Sequence, residues 1–361
     1  RSLAAKLVVG LGVAGLAVAV QDSFPTTSTS GSGTVLSQAG DTVPVAEFKG
    51  HKGAVGAVAF PADGRHIVTA GADATIKVWN AATRTLVRTI ELDNGVAVAL
   101  AVEGRRGTTG HKDGTAVVVA LATGAKIASF RRRAAALSAV AFAGAPDRIL
   151  AAGSDGVIAL WDAKAPAAPS QLIEGHQGAV NAIAYSGATG LVATGGTDET
   201  VRLVRPQPPG QGQAQGAPPP TGQGAAQGNG PGNIRVYRGH NDAVTAIAFA
   251  PDGRSIAAAA ADGRIRIWST YSSRLNRSFR GSSAQPGAIV FSPDGASLAT
   301  AAEDGVVRIW DLKRGRTART LQGRPGELRA IAFAPDGRRL AVAGSDGLVR
   351  LWSTQPARPG I

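Results

Sequence analysis

Five His and a recurring Asp-Gly pair are the residues whose types could do chemistry in this 361-residue chain. Zinc would need His, Cys or carboxylates at paired spacing. His66 and His111 stand singly, while His51, His176 and His240 each follow a Gly and recur far apart. The Asp-Gly pairs could begin calcium loops, but the further acidic ligands of such a loop do not follow them. The absence of Cys removes disulfides, thiolate metal sites and Cys nucleophiles. There is no phosphate-binding Gly loop, no Gly-x-Ser-x-Gly elbow and no carboxylate pair outside the recurring positions. These residues assemble no catalytic constellation, so the chain reads as a non-enzyme without metal or cofactor.

What the Asp residues mark is a period. Asp73, Asp113, Asp155, Asp198, Asp262, Asp304 and Asp346 are separated by 40, 42, 43, 64, 42 and 42 residues, which is a repeat array with one long exception. The exception is Pro206–Asn233, a Pro/Gly/Gln-rich stretch without charge or large apolar side chains, expected to be a disordered insertion. Each unit alternates apolar and polar residues, as in Thr75–Trp79 and Arg264–Trp268, and so predicts strands with one solvated side or edge. An earlier strand (Ala54–Phe60, Ala243–Phe249) ends at Pro-Asp-Gly or Pro-Ala-Asp-Gly, where Pro presets φ and Gly accepts φ > 0 for a hairpin. With the strands after each turn, every unit has four short antiparallel strands. One small sheet cannot bury both faces, so the units must stack, and seven can close into a ring. Val43–Phe48 has no inner strands before it and the seventh unit lacks an outer strand, so this segment is expected to complete the last sheet.

The Trp endings, the Gly-His pairs 22 residues before an Asp and the period resemble the WD-repeat family of β-propellers over residues 43 to about 354. The resemblance implies an all-β, seven-bladed propeller with four-stranded antiparallel blades. It also implies a buried network in which the turn Asp bonds the His, and the His reaches a strand Thr and the Trp. Only the first unit has the full set, His51, Thr69, Asp73 and Trp79. The fourth has His176, Thr194 and Asp198 but Val204 for Trp, and the fifth has His240, Asp262 and Trp268 but Ala258 for Thr. The second has Val119 for Trp and no His at that place; Asp155–Trp161, Asp304–Trp310 and Asp346–Trp352 also lack the His. The family binds partners on one rim. Carried over, that rim consists of Ala72, Lys112, Ser154, Thr197, Ala261, Glu303 and Ser345 before the turn Asp residues. With them go Gly56, Val96, Ser138, Asn181, Thr245, Gly287 and Arg329 in the first strands.

The ends and the charge complete the reading. Leu7–Val20 is an apolar run preceded by Arg1 and Lys6, a membrane anchor or a cleaved signal, and residues 21–42 read as a Ser/Thr/Gly-rich linker. Residues 43–355 are the propeller and 356–361 a tail. The chain has no Met, which is the pattern of a piece of a longer product or of a missing start. Net charge is +13, with 19 Arg/Lys against 10 Asp/Glu from Asn233 onward and a second cluster at Arg131–Arg133. Acidic protein surfaces are the favoured partners, since stacking aromatics for nucleic acid are few. The expected role is a membrane- or envelope-tethered interaction scaffold on a bacterial signalling or effector chain. The alternative is a permanent structural subunit of a membrane or envelope complex; the localisations follow, with cytoplasm as the alternative.

Overall fold

Alternating small and bulky apolar residues, broken by Asp-Gly turns, yield four strands per repeat. The computed structural model describes residues 44–132, 135–206, 234–281, 284–322 and 328–355. In blade 1 the strands are Val55–Ala59, His66–Gly71, Thr75–Asn80 and Leu86–Glu91, hydrogen-bonded in that order. Six further four-stranded sheets begin at Ala97, Leu137, Val180, Val244, Pro286 and Leu328 and follow the same up-and-down order, and no described residue is helical. Each first strand packs on the first strands of both neighbouring blades, blade 7 on blade 1 included, so the sheets form a closed ring.

Closure uses a strand from before blade 1. Ala46–Lys49 pairs antiparallel with Leu348–Ser353 in the seventh sheet, with Phe48 opposite Val349 and Glu47 opposite Arg350. An ion pair of 3.3 Å between Glu47 and Arg350 crosses this seam. Val43 lies outside the described residues, as do 1–42, 207–233 and 356–361, and with them the expected anchor, linker, insertion and tail.

Side-chain volume follows the taper of the ring. First strands bury Ala at alternate positions, for example Ala57, Ala99, Ala139, Ala182, Ala246 and Ala330. Farther out, the fourth strand of one blade presses a large side chain onto the Trp of the next: Phe48 on Trp79 (ring centroids 5.7 Å apart), Phe130 on Trp161 (5.2 Å), Tyr237 on Trp268 (5.8 Å) and Phe279 on Trp310 (5.1 Å). Such pairs add to plain area burial. Where Val119 or Val204 replaces Trp, the preceding blade supplies Ile90 or Ile173 instead.

Two expectations need correction. The alternation in the third strands does not leave one side solvated: Lys77, Arg266 and Arg350 are 7%, 9% and 3% exposed. Strands stacked between two blades bury both faces, and their polar members find partners there. The second unit is also out of step by two residues. Its first hairpin is tight, with Glu103 opposite Arg106. Every first strand carries a bulge after its first residue, and in blade 2 the bulged residue is therefore buried Val98, where the spacing had pointed to Val96.

Phe48 is 1% exposed and serves both the seam and Trp79. Phe48→Ala should cost about 3–5 kcal/mol. Denaturant melts check this, against Leu86→Ala, which removes a half-exposed side chain and should cost far less.

Candidate interaction surface

The turn Asp is fixed by its own backbone. In all seven blades its carboxylate accepts the amide two residues on, from Thr75, Thr115, Val157, Thr200, Arg264, Val306 and Leu348 at 2.9–3.3 Å. This is the Asx turn that Asp favours. The next residue is left-handed, and in five blades it is Gly. At Gly156 and Gly347 a Cβ would stand 2.7–2.8 Å from carbonyls of the loop entering the next blade, so turn and neighbour are pressed together.

Blade 1 holds a complete chain of bonds. Trp79 Nε1 donates to Thr69 Oγ1 at 2.9 Å, and that hydroxyl meets His51 Nε2 at 2.8 Å. His51 Nδ1 meets Asp73 at 2.9 Å, and the Lys52 amide donates to the other carboxylate oxygen at 2.9 Å. Every group is satisfied if neutral His51 carries its proton on Nδ1. Burial pushes the His51 pKa down against the pull of Asp73. Burial opposes the charge on Asp73, yet bonds from Lys52, His51 and Thr75 outweigh it and lower that carboxyl to about 2. Blade 4 repeats His176 to Asp198 and to Thr194, both at 2.9 Å. Arg202 Nη2 adds a bond to Asp198 at 3.4 Å, and a cavity of about 10 Å³ remains beside Val204.

Blade 5 departs from the expected network. Arg266 Nη1 donates to His240 Nδ1 at 2.9 Å, and His240 makes no bond to Asp262. With Ala258 where blades 1 and 4 have the Thr that meets the His, buried His240 Nε2 has no hydrogen-bond partner. Burial, then the charge of Arg266, lowers the His240 pKa to about 4.

The blades without Gly-His solve the same problem with other residues. Arg308 bonds Asp304 at 2.9 Å and Arg350 bonds Asp346. Arg132 pairs with Asp155 and donates to Val157 O at 2.8 Å, so this member of the basic cluster is structural. In blade 2 His111 sits two residues before Asp113, where blades 1 and 4 have Gly71 and Gly196. A Cβ on Gly196 would stand 2.6 Å from the His176 ring, so the site accepts one imidazole from either strand. His111 is fully buried and bonds Thr109 at 3.0 Å, and burial lowers its pKa against the charge of Asp113. Sequence reading missed His111 and the Arg four residues after the Asp. The signal was present: Arg202, Arg266, Arg308 and Arg350 share one repeat position. His66 stands apart, paired with Asp63 at 2.7 Å on the surface. Among the described residues no three His, Asp or Glu gather as a metal set.

The rim positions separate into two kinds. Ala72, Lys112, Ser154, Thr197, Glu303 and Ser345 are exposed on the face of the Asp turns, and Ala261 is half-buried there. The first-strand positions occupy the bulges, and three of them stitch blades together. Ser138 Oγ donates to Val180 O, Asn181 Nδ2 to Val244 O at 3.0 Å and Thr245 Oγ1 to Pro286 O at 2.7 Å. Gly287 lies so close that a Cβ would stand 2.8 Å from Leu328 O. Arg329 is half-buried at the same position in blade 7. Outer-strand Arg also clip neighbours: Arg88 to Thr123 O at 3.3 Å, Arg277 to Lys313 O at 3.3 Å and Arg319 to Ser353 O at 3.0 Å. Much of the Arg excess is thus committed inside the ring.

A family model for the WD domain, G-beta repeat, matches residues 42–80, 168–204, 232–269, 273–311 and 315–353, more than half of the chain. The inner strands of blades 2 and 3 fall outside these matches; neither blade has a Gly-His 22 residues before its turn Asp, and blade 2 lacks the Trp as well. The U5 small nuclear ribonucleoprotein 40 kDa protein of Dictyostelium discoideum is 28% identical over 142 residues, 38% of this chain and 39% of the relative. The match therefore spans well under half of that relative's length.

His51→Ala leaves the Asp73–Thr69 pair without its bridge and should cost about 1–3 kcal/mol. His66→Ala should cost less than half of that in the same denaturant melts. Acid should also weaken the fold. A His with a lowered folded pKa stays neutral while the unfolded chain takes up a proton, so stability falls as pH drops from 6.5 towards about 4 at His240. The Asp73 contribution, present above 3.8, is lost only lower, towards about 2. Thermal melts at several pH values should show a smaller drop between neutral pH and pH 4.5 for His240→Gln than for the parent.

Proposed function

The chain belongs to the WD-repeat family, and from that premise we propose that it is a non-enzymatic scaffold that binds protein partners on the face of its Asp turns. The observation that carries this is the ring of exposed side chains before those turns, of which Lys112, Ser154, Thr197 and Ser345 are the polar examples. Each sits on a turn clamped by its own Asp. Rigid presentation lowers the entropic cost of binding. Small side chains dominate the ring, so the fit would come from shape and backbone contact more than from aromatic anchors.

A tether through Leu7–Val20 is the finer part of the proposal, supported by its apolar length and by Arg1 and Lys6 before it. No helix among the described residues is long and apolar enough to cross a membrane, and Leu7–Val20 lies outside them. A cleaved signal remains its alternative role, and attachment to a signalling or effector domain rests on analogy with other repeat arrays. A second reading, a permanent subunit of a larger assembly, is favoured by the relative whose name places it in a small nuclear ribonucleoprotein.

Cross-linking with mass spectrometry on the full chain in its source cells tests the binding face. Ser154→Arg, Thr197→Arg and Ser345→Arg together should cut cross-links to partner proteins about tenfold while leaving the melting temperature unchanged. Unchanged cross-linking would remove the turn ring from the binding face. Partners that never exchange with added free chain would favour the permanent subunit.

A further inference from the structure

We propose that the opposite face of the ring, across blades 5, 6, 7 and 1, docks an acidic segment of a partner protein. The inference rests on the scaffold reading and adds a second surface and its chemistry. Up-and-down strand order puts at the end away from the Asp turns the turn between the first and second strands of each of these blades and, in blades 5, 6 and 1, the turn between the third and fourth. In these four blades those turns hold seven Lys/Arg and four Asp. Arg65, Arg84, Arg254, Arg274, Lys313 and Arg338 are exposed, and their side chains have no ion pair or hydrogen bond among the described residues. The carboxylates between them are occupied by their own turns: Asp63 accepts the Arg65 amide, Asp252 that of Arg254, Asp294 that of Ala296 and Asp336 that of Arg338, all at 2.9 Å.

The patch is continuous. A Cβ on Gly295 would stand 3.6 Å from Pro251, on Gly337 3.6 Å from Pro293 and on Gly64 3.5 Å from Pro335, so each turn leans on the one before it. Arg339 donates to Gly64 O at 3.0 Å across the blade 7 to blade 1 junction. Between blades 5 and 6 the same turns frame a cleft of about 340 Å³, with Phe291, Ile267 and Leu312 in its wall and Arg277 and Asn276 beside them. Tyr271, 67% exposed, stands in the blade 5 turn. Arg84 is displayed by its turn's backbone. It holds a left-handed φ of 63°, as Ser273 does at 55° in the matching turn of blade 5, where blades 2 and 6 use Gly124 and Gly315.

The occupant follows from the mixture. Tyr271 is the only strongly exposed aromatic among the described residues, too few for the base stacking that a single-stranded nucleic acid needs. Arg, one Tyr and an apolar cleft are the makings of a protein interface. The free cations call for Asp or Glu on the partner.

A fluorescein-labelled Glu-rich peptide carrying Leu side chains, titrated with the full chain and read by anisotropy, tests the proposal beside an oligouridine of equal charge. The peptide should bind more tightly than the oligonucleotide, and binding should fade as salt rises from about 0.05 to 0.5 M. Arg65→Glu, Arg254→Glu and Arg338→Glu together should weaken it about tenfold. The charge-matched set Lys49→Glu, Lys52→Glu and Arg280→Glu on the other face should change it less than about threefold. Arg84→Gly should weaken it without lowering the melting temperature. Equal losses from the two sets, or preference for the oligonucleotide, would overturn the proposal. Absent peptide binding would also overturn it, and would leave the scaffold reading standing if the Asp-turn variants still lose their cross-links.

Discussion

Seven sheets that share one axis must be narrow at the centre and wide at the rim, and everything else in this molecule is arranged around that taper. Ala at alternate positions of the first strands lets neighbouring sheets approach closely at the axis. A larger residue there would be overpacked against two blades at once. Farther out the gap widens, and only aromatic or large aliphatic side chains span it. Phe48, Phe130, Tyr237 and Phe279 reach the Trp of the following blade for this reason. A ring of wedges also has no natural end, so the seventh sheet takes its outer strand from residues before the first blade.

The taper has an electrostatic counterpart. Every blade places an Asp in the same turn, and a partly buried carboxylate must be hydrogen-bonded to be tolerated. The Asx bond to the backbone meets part of that need in each case. The rest is met by whichever donor the local sequence offers: a loop His in blades 1 and 4, an Arg from the third strand in blades 6 and 7, and a loop Arg in blade 3. A neutral His supplies one directed bond, whereas Arg brings a permanent charge and several donors. Blade 5 carries both, and the Arg takes the ring nitrogen that would otherwise have met the Asp. This economy accounts for part of the basic excess in the later blades.

The repeat made the fold legible from sequence. Asp spacing, Pro-Asp-Gly turns and period-2 strands fix the blade count and strand number, and the unmatched Val43–Phe48 segment points to the closing strand. Bond partners were less legible, because they depend on which side chain reaches a shared point rather than on spacing. His111 arrives at the imidazole site from the second strand, whereas His51 arrives from a loop, and a search for Gly-His 22 residues before the Asp overlooks it. The rim was misplaced by two residues in blade 2 because spacing from the Asp assumes a constant hairpin, and that hairpin is shortened. Ser138, Asn181 and Thr245 looked like surface because a bulge gives no sequence signal of where it aims a side chain.

Up-and-down strand order imposes a division of labour between the two faces. All the Asp turns and the loops between blades fall at one end, and all the Pro-Asp-Gly turns fall at the other. Each end is stiffened by a different device. At the first, carboxylates bind backbone amides and Gly lets the next loop close over the turn. At the second, the Pro of one turn supports the Gly of the next. Because neither device uses the side chains that flank it, Lys112, Ser154 and Ser345 on one face and Arg65, Arg254 and Arg338 on the other are held in place without being consumed. A polar residue in the third strand has no such freedom, since blades close over it from both sides and its charge must be answered within the ring. The same residue type is therefore structural in a strand and available in a turn, and only the repeat register tells the two apart.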